Sequence, residues 1–355
     1  MTVDPKILSA KSHWQGRMIS NGIQLSDFYD VINSIKTWDE WCEAWSKKGE
    51  IHFQLGEEAL NSNHHLTASQ HFITSSVCFH FGKYLFIHKP DEMKSAHLKC
   101  VNAYNKALPI MEIPGERVSI PYKNKFLYGN LRKPPKKNTP SIVIMVMGLD
   151  STKEEMYYNE NVFLQRGIAT LAFDGPGQGE SEFIMNIEPK YEKPVKAVLN
   201  FLDNRNDINL DKIGIWGVSL GGYYAPRAAC FDVRIKACIS LSGPYNFGEC
   251  FDFLPELTRL TFIHRSGALN IENAREIAHQ MTLKYNIKEL NCPLYIVSGA
   301  LDKVIPPNQS KKIYENSTNS SLKIHQHIKD GGHVANNRSY KYRMKSADWM
   351  VEQLS

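Results

Sequence analysis

The spacing of apolar positions changes once along the chain. In the first third they recur at steps of three and four. A segment opening at Pro90-Asp91 carries Met93, Ala96, Cys100, Tyr104 and Leu108 on one helical face. Thr37-Trp38-Asp39-Glu40 has the form of a capping box, and Trp38, Trp41 and Trp45 follow at helical spacing. Residues 65–88 are rich in Phe and His and read as another buried helix, while no strand signal precedes residue 116. Residues 1–112 are therefore expected to form a helical N-terminal domain.

Beyond Pro114-Gly115 the pattern becomes strand-like. Glu116 to Pro121 and Lys125 to Leu131 read as two short strands joined by the polar turn YKNK. Ser141 to Met147 is a continuous apolar run, which predicts a strand buried on both faces. Similar runs recur at Ala169–Phe173, Lys212–Trp216, Ile235–Leu241, Pro293–Val297 and Leu322–Ile328. Helical segments such as Glu154–Gln165 and Tyr191–Asn204 separate most of them. A last stripe, Tyr340, Met344, Ala347, Val351 and Leu354, predicts a C-terminal helix. Strands alternating with helices make residues 113–355 an α/β domain with a doubly wound, mostly parallel sheet.

Composition narrows the function classes. At 355 residues two domains are expected, and 42% hydrophobic with 22% charged residues is ordinary for a globular protein. No apolar run approaches the length of a membrane span, and the N-terminus lacks the pattern of a signal peptide. Seven scattered cysteines without a CxxC pair fit reduced thiols in a cytoplasm. The net charge of +5 is too mild to argue for nucleic acid, and the basic run Arg132–Lys137 carries two prolines and reads as a solvated turn.

Chemistry concentrates in GIWGVSLGGYY, Gly214–Tyr224. Gly217-Val218-Ser219-Leu220-Gly221 sits between a predicted strand and a predicted helix, the context of a nucleophile elbow. Such a turn forces Ser219 into strained backbone angles and leaves no room for side chains at 217 and 221. A serine hydroxyl needs a base, and the base an orienting carboxylate. Asp302 follows the strand Pro293–Val297, and His333 lies on Asp330-Gly331-Gly332-His333 after the strand Leu322–Ile328. The order serine, acid, histidine is that of the fold. The Leu220 N–H at the start of the next helix is one expected oxyanion donor. The Leu149 N–H, in the loop Met147-Gly148-Leu149-Asp150, is the second. Asp174-Gly175-Pro176-Gly177-Gln178-Gly179-Glu180-Ser181 forms a compact turn whose spacing does not fit a dinucleotide-binding loop.

Other residues carry weaker signals. A lid insert is expected over residues 242–291, where Tyr245, Phe247 and Phe251 are candidates to line the substrate pocket and core packing is the alternative. Glu249 is read either as a solvated surface residue or as a fourth catalytic group. Eight of the thirteen histidines precede residue 100 at no metal-ligand spacing, so no metal is expected. His325 and His327 should share one face of a strand.

The elbow, the DGPGQGES turn, the Asp302 loop and the His333 loop together resemble the α/β-hydrolases. GLDSTKEE at 148–155, with the helical N-terminal domain, resembles the 2,6-dihydroxypseudooxynicotine hydrolase group and fungal hydrolases that shorten polyketide chains. The resemblance implies a serine hydrolase whose helical domain covers the site, and some members cleave a carbon–carbon bond beside a ketone. One departure is Met147-Gly148 where many α/β-hydrolases have His-Gly. The expected activity is hydrolysis of a C–C bond in a β-dicarbonyl, hydroxyaryl ketone or polyketide-like substrate. Carboxylesterase or thioesterase, peptidase, and non-catalytic ligand-binding protein are the alternatives. No cofactor is implied. The expected partners are a small-molecule substrate, free or carrier-bound, and a second copy in a homodimer, with neither nucleic acid nor membrane.

Overall fold

The computed structural model describes residues 3–135 and 137–355; Lys136, in the basic run singled out above, lies outside the described residues. The chain divides into two compact units. One holds the residues up to Arg117 together with Glu154–Asn159, and the other holds Val118–Lys153 and Glu160–Ser355.

The first unit contains α1 (Pro5–Ser20), α2 (Leu25–Ser34), α3 (Trp41–Asn61), α4 (His65–Lys83) and α5 (Pro90–Ala107). The second half of α4 is buried on every side, and each residue from Ser75 to Lys83 is buried. The Trp stripe packs internally. Trp38 stacks on Trp41 with ring centroids 4.8 Å apart, and the Trp41 indole N–H donates to the Phe81 carbonyl. The Thr37–Glu40 box closes a short 3-10 turn just before α3, with the Glu40 carboxylate accepting the Thr37 N–H at 2.8 Å. This unit also buries an ion pair. The Arg17 guanidinium makes a two-pronged contact of 2.6 and 2.7 Å with Glu155, and Asn21 Nδ2 donates to the same carboxylate.

The second unit is built on a sheet. Among the described residues it holds β1 (Gly115–Tyr122), β2 (Lys125–Arg132), β3 (Ile142–Val146), β4 (Ala169–Asp174), β5 (Ile213–Val218), β6 (Ile235–Leu241), β7 (Leu294–Gly299) and β8 (Lys323–Ile328). The order across the sheet is β1-β2-β4-β3-β5-β6-β7-β8. From β4 onward every pairing is parallel, and β2 runs antiparallel to β4. β3 is buried at every position, as its unbroken apolar run requires. α6 (Tyr157–Leu164), α7 (Glu192–Leu202), α8 (Gly221–Phe231), α9 (Glu256–Ser266), α10 (Ile271–Gln280), α11 (Pro307–Asn316) and α12 (Arg343–Gln353) complete the set, with α9 and α10 inside the segment between β6 and β7.

One helical expectation needs correcting. Tyr340 and Met344 are 66% and 51% exposed. A kinked 3-10 segment, His333–Lys341, intervenes with left-handed Val334 and Ala335, so the phase of the stripe is lost before α12 begins. Ala347 and Leu354 of the stripe are buried, and α12 buries Ser346, Trp349 and Met350 beside Ala347. Among the described residues no helix is long and apolar enough to cross a membrane.

Candidate active site

β5 ends at Val218 and α8 begins at Gly221, leaving two residues to reverse the chain. Ser219 takes a left-handed φ of 56°, a strained conformation for a residue with a side chain. The flanking glycines have a steric cause. A Cβ on Gly217 would lie 2.0 Å from the Gly221 carbonyl oxygen, and a Cβ on Gly221 would lie 2.3 Å from the carbonyl oxygen of Val146 at the end of β3. The turn is thus pressed against itself and against the neighbouring strand.

His333 and Asp302 arrive from the ends of β8 and β7. His333 Nε2 lies 2.8 Å from Ser219 Oγ, and His333 Nδ1 lies 2.8 Å from Asp302 Oδ2. Asp302 is itself fixed, because its Oδ1 accepts the N–H groups of Val304 and Ile305, both at 2.9 Å. The His333 loop is held by the Val334 N–H donating to Ser242 Oγ at 3.1 Å. The structure therefore brings the three candidates into one hydrogen-bonded line. Such a line can draw the proton from Ser219 onto the imidazole as the oxygen attacks a carbonyl.

The two candidate oxyanion residues lie beside it. Leu149 and Leu220 bury their side chains, and among the described residues neither backbone N–H has an acceptor. The Met147–Leu149 loop lies against the elbow, since a Cβ on Gly148 would sit 3.1 Å from Ser219 Cβ.

The remaining candidates fall elsewhere. Phe247 and Phe251 are buried and both meet Phe262 edge-on, at 5.0 and 5.8 Å between centroids. These contacts are the core packing that stood as the alternative to a pocket wall. Tyr245 is half-buried, and its backbone N–H is held by Gln309. Glu249, read either as a solvated surface residue or as a fourth catalytic group, is exposed. Its side chain is 42% exposed, ion-paired with Lys312 at 2.6 Å and bonded by Gln309 Nε2 at 2.8 Å. The Lys312 contact holds its carboxyl below the usual carboxylate range. His325 and His327 do share a face, and both ring nitrogens meet Ser298 Oγ, at 2.8 and 3.0 Å.

Sequence reasoning missed the residues that hold the loop. Gln178 is buried and its Nε2 donates to the carbonyls of Met147 and Gly148, both at 2.8 Å. The Asp174 carboxylate accepts the Lys153 N–H and pairs with the Lys153 ammonium at 2.8 Å. Arg265 of α9 donates to the Leu149 carbonyl and pairs with buried Glu182 at 2.8 Å. The DGPGQGES turn was a visible signal for the first two. Nothing in the pattern around Arg265 distinguishes it from a surface arginine.

A mostly parallel sheet with a strained serine after its fifth strand, and an acid and a histidine at the ends of later strands, defines the α/β-hydrolases, and this chain is one of them. It belongs to the family described as esterase FrsA-like, whose sequence profile matches residues 12–263. A second profile, BAAT / acyl-CoA thioester hydrolase C terminal, matches residues 195–337. The chain is 31% identical over 340 residues to 2,6-dihydropseudooxynicotine hydrolase of Paenarthrobacter nicotinovorans, covering 96% of this chain and 91% of that protein. It is 32% identical over 250 residues to 20-hydroxy-prefusarin hydrolase FUS2 of Gibberella moniliformis, covering 66% of this chain and 59% of the fungal protein. Among solved structures, 2,6-dihydroxy-pseudo-oxynicotine hydrolase superimposes with a TM-score of 0.88 at 30% identity, over 96% of this chain and 95% of the other. The wild-type AbyA5 structure shares the fold, with a TM-score of 0.73 at 15% identity over 99% of each chain.

Proposed function

We propose that this hydrolase works through covalent acyl-enzyme chemistry at Ser219. His333 removes the Ser219 proton as Oγ attacks a substrate carbonyl, and the imidazolium then delivers that proton to the departing group. Asp302 fixes the imidazole tautomer and stabilises its charged form. The N–H groups of Leu149 and Leu220 receive the oxyanion. Water attacks the resulting acyl-serine in a second round of the same steps. The observation that carries the reading is the continuous line from Ser219 Oγ through His333 to Asp302, at 2.8 Å per link.

The substrate proposed is a β-dicarbonyl, hydroxyaryl ketone or polyketide-like ketone cleaved at a C–C bond. Support comes from the resemblance through GLDSTKEE and from the named substrates of the relatives above. The thioesterase reading has one specific observation in its favour, the acyl-CoA thioester hydrolase profile over residues 195–337. The test combines a fluorophosphonate probe with a panel of β-diketones, acyl thioesters and aryl esters. Ser219 should be labelled, Ser219→Ala should not be, and diketones should turn over with the highest kcat/KM. Equal labelling of Ser219→Ala removes the serine mechanism. Thioesters ahead of diketones would replace the C–C assignment.

A further inference from the structure

The Gly148–Leu149 peptide unit is hydrogen-bonded on one side only. Its carbonyl accepts Gln178 Nε2 at 2.8 Å, and a trans peptide points its N–H the opposite way, away from Gln178. That N–H is the Leu149 donor assigned to the oxyanion. The same Nε2 uses its other hydrogen on the Met147 carbonyl. Gln178 Oε1 accepts the Gly175 N–H at 3.0 Å and the Tyr191 hydroxyl at 2.6 Å, so every bonding site of the amide is used in one orientation. Tyr191 cannot swing away. It is fully buried, stacked on Tyr224 of α8 at 3.8 Å between centroids, and burial pushes its hydroxyl well above the ordinary range, keeping it a donor. Its hydroxyl occupies the space of a Cβ on Gly175, 1.9 Å away. The next carbonyl, Leu149, accepts Arg265. Three successive carbonyls of the loop are therefore taken by buried side-chain donors.

Hydrogen bonds through one amide group polarise each other. A donor on the Gly148 carbonyl draws electron density from the peptide nitrogen and makes the Leu149 N–H a stronger donor. Such preorganisation acts where charge develops, with little effect on a neutral ground-state carbonyl.

We infer that Gln178 is a positioning residue for the oxyanion site, aiming and polarising the Leu149 N–H through the Gly148 carbonyl with Tyr191 locking its amide. The inference rests on the serine-hydrolase reading above. Gln178→Glu keeps the shape and both acceptor contacts but turns the donors into a carboxylate facing two carbonyls. Gln178→Met removes the donors without adding charge, and Tyr191→Phe loosens the amide while leaving it present.

The experiment measures kcat and KM on an aryl ester, and the affinity of an aryl trifluoromethyl ketone whose adduct is followed by fluorine NMR. For Gln178→Glu and Gln178→Met, kcat should fall on the order of 10–100-fold, at or below the cost of deleting one oxyanion donor. KM should change little, and ketone affinity should fall in parallel with kcat. Tyr191→Phe should lose less, in the same direction. In Gln178→Glu, activity relative to the parent should recover as pH falls and the new carboxyl protonates. Unchanged kcat in the two Gln178 variants, or a fall in kcat with ketone affinity intact, overturns the inference while leaving the serine mechanism standing. A parent enzyme that forms no ketone adduct overturns the serine mechanism itself.

Discussion

Gly148 lies against Ser219, so close that a methyl group at 148 would sit 3.1 Å from Ser219 Cβ and 2.9 Å from the Val218 carbonyl oxygen. The proposed oxyanion loop and the proposed nucleophile are therefore set by one contact between the turns that follow β3 and β5. Gly148→Ala must displace the loop by a few tenths of an ångström, and with it the Leu149 N–H. A drop in kcat on the order of 10²–10³-fold is expected, the scale for losing one oxyanion donor. The fold should persist, because only the loop need shift. Parallel kcat and thermal-unfolding measurements check this, and an active variant would show that the Leu149 N–H does not serve the reaction.

Asp302→Asn follows from the two backbone bonds on Oδ1. Val304 and Ile305 donate to that oxygen, which keeps the carbonyl of an asparagine there and turns its NH2 toward His333 Nδ1. Nδ1 must then accept, the imidazole proton moves to Nε2, and Ser219 loses its base. A kcat loss of about 10⁴-fold is expected by analogy with the serine-protease case. Near-full activity would mean that another carboxylate orients His333.

Much of this site was legible because its signals are local. A glycine two positions either side of a serine, placed between an apolar run and a helix, encodes a steric problem with one solution. The loop holding Asp302 follows an apolar run that is buried throughout as β7, whereas the run before His333 is the half-buried edge strand β8, placed by its position in the chain more than by its hydrophobicity. The supporting contacts were not legible, because they join distant residues. Arg265 meets the Leu149 carbonyl across 116 positions, and its burial depends on Glu182, which no periodicity marks. Phe247 and Phe251 illustrate the reverse. Aromatic residues in an insert fit a pocket wall and a small core equally well, and no sequence pattern marks the contacts of these two with Phe262. Tyr340 left the stripe because it lies in a 3-10 segment, whose residue period differs from that of an α-helix.

The helical unit should respond to acid through Glu155 and His80. Arg17 lies against Glu155 and holds its carboxyl far below the usual range despite full burial, and burial lowers His80 from the ordinary histidine value of 6.5. Both folded-state values lie below the unfolded ones, so both groups stabilise the fold at neutral pH and lose that contribution as pH falls. Loss should begin below pH 6.5 from His80 and deepen below 4.5 from Glu155. Glu155→Gln leaves Arg17 buried without its counter-charge and should cost about 3–5 kcal/mol at pH 7. Urea unfolding across pH should show a lower but flatter profile for the variant below pH 4.5. An unchanged slope there would assign the acid response to other carboxylates.

Glu249 decides whether C–C cleavage needs a fourth group. Breaking a bond to carbon leaves a carbanion, which must be stabilised by an adjacent ketone or protonated as it forms. Glu249 is poorly suited to that proton transfer. Lys312 and Gln309 occupy one of its carboxylate oxygens, its carboxyl is held below the usual range, and the side chain is partly in solvent. In the proposed mechanism the imidazolium of His333, formed as Ser219 attacks, carries the proton the leaving carbon requires. Glu249→Gln should therefore act through the Gln309 anchor of Tyr245 and Asn246 alone. Losses within about fivefold are expected, the scale of an exposed ion pair, and they should be equal on a β-diketone and on an activated aryl ester. A variant slowed far more on the diketone than on the ester would return Glu249 to the reaction and require its carboxylate to turn from Lys312 toward the leaving group.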